Sequence, residues 1–447
     1  MLSIATWVPV IPLFLSGCWS NTDADLDTNT NTEGDDDYGY DDGDCPSAPL
    51  VVGQPREESP IDCTGVGEAV FATDVLHRVD IDLAAADWEA IEAEAAAIAE
   101  DECRPPTYFE AGLQVDDLPA LDGVGVRVKG NYSLAIAAEY GWSLPLKLDI
   151  NRFEPGQNLD GLKKLNLHAI VKEGGGGTQW EWPSDPVAEF VSYNTMLAHG
   201  VPASRASLAE VFVNGESQGL YSMVEQVDGR FVRCNFPAPF GDLYKPDHDL
   251  SYEAGDPIED YGDLNFKWPE TSDHQAARGL LDALNFGSGG ELEEALDVDS
   301  ALTYFALNIG LGNWDYYTFI PHNYYIYEAT PSRFTVIPWD MNMSQVDWVE
   351  PCGFGAGEED EMPLSRRLLG DPDYVERYVP ILRAFLEGGG SVQAQHQLID
   401  DIEPLVSPWV GAERLDRLRE NIATRVPGML ANLEGLNVCP DWTDEDP

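Results

Sequence analysis

The sequence predicts an α+β fold in which a strand-rich N-terminal part precedes a mostly helical C-terminal part. Alternating or β-branched segments recur between residues 79 and 224, and an aromatic hairpin pattern follows at 324–337. From residue 363 to residue 433 the spacing of apolar residues is helical, with Arg and Glu on the outer faces. Strands and helices that are segregated along the chain, rather than alternating regularly, are typical of the α+β class.

Several short segments show the strand pattern, in which apolar and polar residues alternate or β-branched residues form a run. These segments are 79–83, 125–129, 143–149, 162–170, 208–213 and 218–224. Asn214-Gly215 separates the last two. This dipeptide predicts a tight hairpin turn, because both residues tolerate the positive φ angles that such a turn requires.

Three helices are predicted before the aromatic hairpin. Residues 84–100 are rich in Ala and Glu, and residues 300–312 are mostly apolar, which favours a buried helix. The third helix begins at Asp185-Pro186, where a capping side chain precedes a Pro at the first helical position. Gly200 marks its C-terminal end.

The net charge of −55 over 447 residues excludes some classes of partner. Nucleic acid and anionic membrane surfaces repel so acidic a chain, and neither is expected as a direct partner. The same charge attracts cationic partners and divalent ions.

The N-terminal residues predict export. Residues 2–16 form an almost wholly apolar segment. The segment is too short to span a bilayer, but its length is typical of a signal-peptide core. Leu15-Ser16-Gly17-Cys18 resembles the lipobox of bacterial lipoproteins, in which the cysteine becomes the lipidated N-terminus. We therefore expect residues 1–18 to be a signal peptide with a lipobox. The protein would be extracytoplasmic, either secreted or anchored to the bacterial envelope through Cys18 alone. An ordinary or uncleaved secretion signal is the alternative.

An acidic tether is predicted to follow at residues 19–65. Within it, residues 21–44 contain ten acidic residues and no basic ones, and they lack an apolar period. Such a segment stays extended because its charges repel one another. Residues 66–440 are then expected to form the folded domain.

The remaining cysteines predict disulfides. Apart from Cys18 they are Cys45, Cys63, Cys103, Cys234, Cys352 and Cys439. An even number in an exported chain suggests up to three bridges, and the short intervening loop makes Cys45–Cys63 the simplest pairing. No Cys-x-x-Cys spacing occurs, which argues against structural zinc.

The aromatic hairpin brings polar residues together at one end. Residues 324–327 and 334–337 read as two strands, and Ala-Thr-Pro-Ser between them reads as the turn. Asn323 at the start of one strand would face Asp340 at the end of the other, and Asp315 precedes them on a loop. Two carboxylates and a carboxamide around one pocket suit Mg²⁺ and its phosphates. The alternative is that all three residues only cap strands and turns.

One motif favours a different enzyme class. Residues 215–219 match Gly-x-Ser-x-Gly, the nucleophile elbow of α/β-hydrolases. An elbow requires a strand before the serine and a helix after it, whereas this motif occupies a predicted hairpin turn. We therefore interpret the match as coincidental. His168, in an alternating strand, is interpreted as a satisfied core or edge residue, and His322 as a residue that orients its loop by a hydrogen bond.

Motifs spread over roughly residues 79–433 resemble the spore-coat protein H (CotH) kinase family. The motifs are 125–133 (GVRVKGNYS), 163–168 (KKLNLH), 213–228 (VNGESQGLYSMVEQVD), 313–315 (NWD), 322–327 (HNYYIY) and 338–340 (PWD). The resemblance implies an atypical protein-kinase-like fold with an N-lobe at about 66–225 and a C-lobe at about 226–440. It also implies ATP with Mg²⁺ (or Mn²⁺) as cofactors, and Ser or Thr of a protein substrate as the phosphoacceptor.

The resemblance also implies roles for the hairpin residues. Asp315 matches the family's catalytic aspartate, which orients the acceptor hydroxyl and accepts its proton. Asp340 and Asn323 match the metal-holding positions. Asn342 stands where many members have a second aspartate, so this chain departs from the family there.

Phosphoryl transfer further requires cations near the phosphates. Lys147 and Lys164 are the candidates on strands, and Glu189 on the following helix is a possible ion-pair partner. Arg127 and Lys129 could instead reach the phosphate oxygens, and the strand that ends at Glu225 would lie beside the adenine. For each lysine the alternative is a solvated strand face.

A second function is compatible with the same fold. An exported protein meets little ATP, so the domain could instead be a surface binding or adhesion module in which catalysis is weak or lost. The sequence leaves both functions open. It identifies neither the acceptor protein nor the oligomeric state.

Overall fold

The computed structural model describes residues 49–54, 58–100, 105–130, 132–169, 185–354, 361–439 and 442. The predicted signal peptide with Cys18, the acidic segment up to residue 48 and the glycine run at 174–177 lie outside these residues. The strands are β1 (Leu76–Asp82), β2 (Phe109–Val115), β3 (Leu121–Val128), β4 (Leu146–Asp149), β5 (Lys164–Ala169), β6 (Ala206–Val213), β7 (Glu216–Glu225), β8 (Leu243–Tyr244), β9 (Phe266–Trp268), β10 (Tyr324–Thr330) and β11 (Arg333–Pro338). The helices are α1 (Ala85–Glu100), α2 (Tyr132–Tyr140), α3 (Pro186–Ala198), α4 (Gly229–Asn235), α5 (Gln275–Asn285), α6 (Gly289–Ala295), α7 (Val298–Gly310), α8 (Pro363–Leu369), α9 (Pro372–Glu387), α10 (Val392–Val406) and α11 (Ala412–Asn432). The predicted α+β class is confirmed.

The first seven strands close into a barrel in the order β1-β2-β3-β4-β5-β7-β6. Neighbours are antiparallel except β1 and β6, whose parallel pairing closes the barrel. Side chains alternate between the two faces of each strand. Val126, Leu148 and Leu167 point inward and are fully buried in the barrel core. The residues that alternate with these along each strand therefore point outward, toward the rest of the molecule.

Both predicted hairpins are present. Asn214 and Gly215 have φ angles of 52° and 81°, and they join β6 to β7 as the Asn-Gly signal predicts. Strands β10 and β11 pair antiparallel from Tyr324–Pro338 onward, and β8 and β9 extend them into a sheet of order β11-β10-β8-β9. This second sheet carries the aromatic hairpin into the larger hydrophobic core.

Helix α3 connects the barrel to the helical part. As predicted, Asp185 caps it by accepting a hydrogen bond from the Val187 N–H (2.8 Å), and Pro186 is its first residue. Arg414 on α11 forms an ion pair with the same cap residue at 2.9 Å. The helix packs against β6 and β7, and its Glu189 is completely buried.

The C-terminal helices confirm the helical pattern predicted after residue 363. Helices α8 to α11 follow one another, and α9 packs against α7. The sequence analysis did not predict β2 or α2. In β2, Gly112 and Gln114 weaken the strand pattern, and α2 is a short Ala-rich helix without a clear apolar face. Within the residues that the structure describes, no helix combines the length and the apolar composition that crossing a bilayer requires.

Two disulfides link distant parts of the described chain. Cys63 pairs with Cys234, with the two Cα atoms 5.6 Å apart, and Cys352 pairs with Cys439 at 5.5 Å. The predicted Cys45–Cys63 pairing is therefore wrong. A short loop made it the simplest choice, but the pairing is decided by which Cβ atoms the fold brings within bonding range, here across 171 residues.

A buried carboxyl makes the fold sensitive to pH. Asp242 accepts hydrogen bonds from Tyr244 (3.0 Å) and from Ser272, and burial raises its pKa to about 6. The folded protein thus holds this proton at pH values where the unfolded chain has lost it. This contribution to stability is complete below the unfolded pKa of about 4 and is lost as pH rises through about 6. Its size is on the order of 3 kcal/mol.

Lowering the pH from about 7.5 to about 5 is therefore expected to raise the free energy of unfolding. Asp242→Asn should reduce this gain, because the amide stays neutral over the whole range. Urea unfolding of both proteins at several pH values measures the difference. Identical pH slopes for the two proteins would show that Asp242 does not titrate in this range.

Candidate active site

The ends of β10 and β11 bring the three predicted hairpin residues together. Asn323 precedes β10 and Asp340 follows β11, and the Trp339 N–H donates to the Asn323 carbonyl at 3.2 Å. Asn323 Nδ2 donates to the Asp315 backbone carbonyl at 2.9 Å and to Asp315 Oδ2 at 3.1 Å. The loop before the hairpin therefore folds over the same end of the sheet, as the sequence predicted.

His322 completes the support of Asp315. Its Nε2 lies 2.7 Å from Asp315 Oδ1, and the Asp315 N–H donates to Asn313 Oδ1 at 3.2 Å. Each carboxylate oxygen of Asp315 thus has a fixed neighbour, while 17 % of the side chain stays exposed. A carboxylate held in this way can receive a proton from a hydroxyl group that approaches from solvent.

Asp340 is held in a different environment. Its φ of 52° lies in the left-handed region, which Asp tolerates better than most residues do. Its Oδ1 atom is shielded from solvent and has no hydrogen-bond partner among the described residues. Burial raises the pKa of this carboxyl above its ordinary value. The Lys129 ammonium acts against that rise, and the Glu189 carboxylate adds to it. A buried oxygen without a donor marks a place where a cation would be stabilised.

A line of four side chains runs beside Asp340. His168 Nε2 contacts Lys129 Nζ, and His168 Nδ1 lies 2.9 Å from both carboxylate oxygens of Glu189, which also accepts from Ser222 Oγ. All four residues are buried. A carboxylate can only accept and an ammonium can only donate, so these partners assign the neutral Nδ1–H tautomer to His168.

The barrel register explains why these residues meet. The Lys129 N–H donates to the Pro145 carbonyl at 3.1 Å, and the β5–β7 pairing sets His168 opposite Ser222. Residues directly opposite one another on neighbouring strands point to the same face. Helix α3 then places Glu189 against that face. The Lys129 ammonium also lies 5.5 Å from the centroid of the Trp339 ring. Trp339 directly precedes Asp340 in the chain.

A pocket opens where the barrel meets the hairpin end. Charged or polar side chains from the barrel and from the segment after β11 line one part of it, and residues of α2 and of the loop after it line the rest. The lining residues are Lys129, Gly130, Ser133, Ala137, Trp142, Ser143, Pro145, His168, Ala169, Asp340 and Asn342. The pocket therefore combines one ammonium group with one carboxylate at the seam between the two parts of the fold.

The other predicted phosphate-binding cations share the outward face of the barrel. Arg127 pairs in register with Lys147, and Lys147 with Asn166, while Lys164 stands two residues before Asn166 on the same strand. All three cations are buried. Of the four predicted cations, Lys129 is the one that lines the pocket, so the structure separates it from Arg127, Lys147 and Lys164.

Glu225 lies apart from the pocket lining. Arg205 donates to its two carboxylate oxygens at 2.5 and 2.8 Å, and the Glu225 N–H donates to the Arg205 carbonyl at 2.9 Å. These contacts occupy the carboxylate and the N–H of Glu225. Glu189, the predicted ion-pair partner of Lys147 or Lys164, contacts His168, and the other nitrogen of His168 contacts Lys129.

The residues present fit a divalent cation. Ligand atoms of His168, Glu189 and Asp340 lie within 4.8 Å of one another. The two nitrogens of His168 already contact Lys129 and Glu189, whereas Asp340 Oδ1 has no hydrogen-bond partner in the part of the chain that the structure describes. Hard oxygen donors of this kind suit Mg²⁺. Asp340 is therefore the residue that would hold the ion, with the oxygen-bearing side chain of Asn323 at the same hairpin end.

Sequence reasoning missed His168 as a site residue. Its alternation with Asn166 and Lys164 correctly predicted a strand face, but nothing in the sequence shows that α3 and β3 bring Glu189 and Lys129 onto that face. Asn342, which was treated as a departure from the family, lines the pocket. The segment with Trp180 and Trp182 lies outside the described residues.

Two comparisons with known proteins found similarities to this chain. The model of the family described as CotH kinase protein matches residues 126–414. The chain is also similar to the Helicobacter pylori proinflammatory kinase CtkA in its crystal structure. The sequence identity is 11 %, the TM-score is 0.35, and the match covers 65 % of this chain and 90 % of that one. Curated proteins give no match to this sequence.

Proposed function

The chain belongs to the CotH kinase protein family, and on that premise we propose that it is an atypical protein kinase. The proposed reaction transfers the γ-phosphoryl group of ATP to a Ser or Thr hydroxyl of a protein substrate, with Mg²⁺ or Mn²⁺ as the cofactor. The observation that carries this proposal is the buried Oδ1 of Asp340, which has no hydrogen-bond partner among the described residues and lies in a pocket that Lys129 also lines.

Each residue of the candidate site has a role in this reaction. Asp315 orients the acceptor hydroxyl and takes its proton as the oxygen attacks the γ-phosphorus. The bond from that phosphorus to the bridging oxygen breaks, and ADP leaves. Asn323 and His322 fix the Asp315 carboxylate, and Lys129 offsets the charge of the phosphates. Asp340 and Asn323 would hold Mg²⁺, which supplies charge neutralisation at the β- and γ-phosphates.

The experiment that tests the proposal is a transfer assay. The purified protein is incubated with Mg²⁺ and ATP labelled at the γ-phosphate, together with a generic protein acceptor such as casein. Incorporation of label that withstands denaturing electrophoresis is the expected result. Absence of label on both the chain and the acceptor, with Mg²⁺ or with Mn²⁺, would contradict the proposal.

The two disulfides favour a second candidate function. Disulfides are typical of extracytoplasmic proteins, and we propose that this protein is extracytoplasmic, with Cys18 as its lipid anchor. ATP is scarce there, so a surface binding or adhesion module on the same fold is the alternative. Attachment of the protein to cells or to an envelope polymer, without label transfer in the assay above, would favour adhesion.

His168→Ala is expected to raise the KM for Mg-ATP more than it lowers kcat. The change leaves the buried charges of Lys129 and Glu189 without the ring that joins them, so the ammonium loses its fixed position in the pocket. An unsatisfied buried group costs about 1–3 kcal/mol, which corresponds to roughly a fivefold to hundredfold rise in KM.

Steady-state kinetics on a His77→Ala control checks this result. His77 is also a buried barrel histidine with two hydrogen-bonded nitrogens, to Asp116 at 2.6 Å and to the Ala72 carbonyl at 2.9 Å. Its loss should lower stability but leave the KM for Mg-ATP unchanged. Equal effects of the two substitutions on KM would show that His168 acts through stability alone.

A further inference from the structure

Residues 49–54 lie against the parts of the chain that precede and follow β9, and we call them the N-terminal strap. The Gly53 N–H donates to the Ser272 carbonyl at 2.8 Å, and the Leu50 N–H donates to the Glu259 carbonyl at 3.0 Å. The Leu50 side chain is buried in the larger hydrophobic core. The strap is therefore bound to the domain by a few backbone hydrogen bonds and one apolar side chain.

The strap is also bonded to a buried chain of polar side chains. The Val51 carbonyl lies 3.2 Å from His274 Nε2, and His274 Nδ1 lies 2.7 Å from the Tyr244 hydroxyl. That hydroxyl lies 3.0 Å from Asp242 Oδ2, which also accepts from Ser272 Oγ. All four of these side chains are buried. A group in this chain that loses its partner therefore stays unsatisfied, which is costly.

The donors and acceptors in the chain determine which arrangement of protons holds the strap. A carbonyl only accepts, so the bond to Val51 requires a proton on His274 Nε2. The Nδ1 atom of neutral His274 is then an acceptor, and the Tyr244 hydroxyl must donate to it. Because Tyr244 has a single hydroxyl proton, its oxygen can then only accept from the Asp242 side chain. The arrangement is thus complete only when the Asp242 carboxyl is protonated.

Ionisation of Asp242 reverses the direction of these hydrogen bonds. The carboxylate accepts the Tyr244 proton, and the Tyr244 oxygen then requires a donor at His274 Nδ1. A neutral imidazole with its proton on Nδ1 presents a lone pair at Nε2 to the Val51 carbonyl. Two acceptors face each other there, so the bond between His274 and the strap is lost.

The surrounding charges act on both titrating groups. A doubly protonated His274 would keep both of its bonds, and Asp273 and Glu259 favour that form. Burial opposes it more strongly and lowers the pKa of His274. Burial also raises the pKa of Asp242 to about 6, and Glu328 and Asp273 add to that rise. Acid therefore favours protonated Asp242 beside neutral His274, which is the arrangement that holds the strap.

We propose that Asp242, Tyr244 and His274 form a pH-sensitive latch, which holds the N-terminal strap on the domain in acid and loosens it at neutral pH. The latch changes state when Asp242 gains or loses its proton. The strap falls within residues 19–65, the predicted tether, so the latch determines whether this part of the tether is bound to the domain. The inference does not depend on the proposed kinase function.

Hydrogen exchange of the full chain, measured by mass spectrometry, tests the latch. We expect the protection of peptides that cover residues 49–54, relative to the intrinsic exchange rate at each pH, to fall roughly two- to tenfold between about pH 5 and about pH 7.5. That range is the effect of losing one hydrogen bond. The Gly67 N–H donates to the Asp160 carbonyl at 2.7 Å, away from the latch, and peptides that contain it are the internal reference.

Two variants separate the latch from a general effect of pH. Asp242→Asn presents an amide donor to Tyr244 over the whole pH range, so the strap should stay protected at both pH values. Tyr244→Phe removes the hydroxyl that joins Asp242 to His274, so strap protection should no longer depend on pH. Tyr304→Phe is the matched control, because it removes another buried tyrosine hydroxyl and should keep the wild-type pH dependence.

Three outcomes would overturn the proposal. Equal strap protection in the wild type at the two pH values would show that His274 takes up a proton when Asp242 loses one, which keeps the bond to Val51. Stronger protection at neutral pH would contradict the proposed direction. A pH dependence that persists in Tyr244→Phe would place the titrating group outside the latch, and this variant decides the question even if Asp242→Asn does not fold.

Discussion

Asp340→Asn is expected to abolish phosphoryl transfer while leaving the fold intact. The carboxylate is the group that would hold the metal, and its Oδ1 has no hydrogen-bond partner among the described residues. Loss of one charged ligand from a site that acts through charge neutralisation should cost at least about 10³-fold in kcat/KM. Burial already disfavours the ionised form of the Asp340 side chain and so raises its pKa. The neutral amide should therefore be at least as stable.

A comparison with Asp315→Asn separates the two proposed roles. That variant keeps the metal-holding residues and should bind Mg-ATP normally, but it loses the proton acceptor and should transfer about 10²- to 10⁴-fold more slowly. Calorimetric titration with Mg-ATP and the label-transfer assay measure both quantities for each variant. If Asp340→Asn retained wild-type transfer, the residue would have no role in holding the metal.

Arg425→Met is expected to lower the free energy of unfolding by about 3–5 kcal/mol, because it leaves several buried acceptors without a donor at a cost of about 1–3 kcal/mol each. The guanidinium donates to the carbonyls of Gly310 (3.1 Å) and Val346 (2.7 Å) and to Gln345 Oε1 (2.5 Å). Burial lowers its pKa to about 9, and Asp347 acts against that change. Without the guanidinium these carbonyl groups remain buried with one donor fewer.

The same contacts link α11 to the candidate site. Gly310 lies just before the Asn313–Asp315 loop, and Gln345 and Val346 lie just after the segment that contains Asp340. Arg425→Met should therefore also lower transfer activity in the folded fraction. Denaturant unfolding measures the stability effect, with Arg383→Met as the control. This control removes an exposed helix arginine with a 3.9 Å contact to Glu387, and it should change the free energy of unfolding by less than about 0.5 kcal/mol. Similar losses in both variants would contradict the account of Arg425.

Local signals predicted the hairpin end because its geometry is local. Two strands that are joined by a short turn must place Asn323 opposite the residues just before Asp340, and the observed register does so. The caps of α3 and the Asn214-Gly215 turn were predictable for the same reason. In each case, the residues that decide the conformation are neighbours in the sequence.

Contacts between distant segments were not predictable in this way. The parallel pairing of β1 with β6 joins Leu76 to Leu208, and no turn or periodicity specifies such a partner. His168 shows the consequence at the site. Its strand was predicted, but its contact with Glu189 depends on how α3 packs against the barrel.

Lys129 illustrates a further limit of sequence reasoning. Four cations fit the chemistry of phosphate binding equally well on the sequence, and all four lie on the outward face of the barrel. Lys129 is the one of the four that lines the pocket, because the barrel ends there and the pocket begins, a boundary that alternation along a strand does not reveal. The disulfides follow the same rule, since Cys63 and Cys234 are close only in space.

A crystal structure of the protein with Mg²⁺ and a non-hydrolysable ATP analogue would show whether Asp340, Lys129 and Asp315 surround the phosphates. We expect the metal within coordination distance of Asp340, a phosphate oxygen within hydrogen-bond distance of Lys129 Nζ, and the γ-phosphate facing the Asp315 carboxylate. A nucleotide bound with its phosphates remote from these three groups would contradict this expectation. Failure of the folded protein to bind the analogue in solution would contradict it equally.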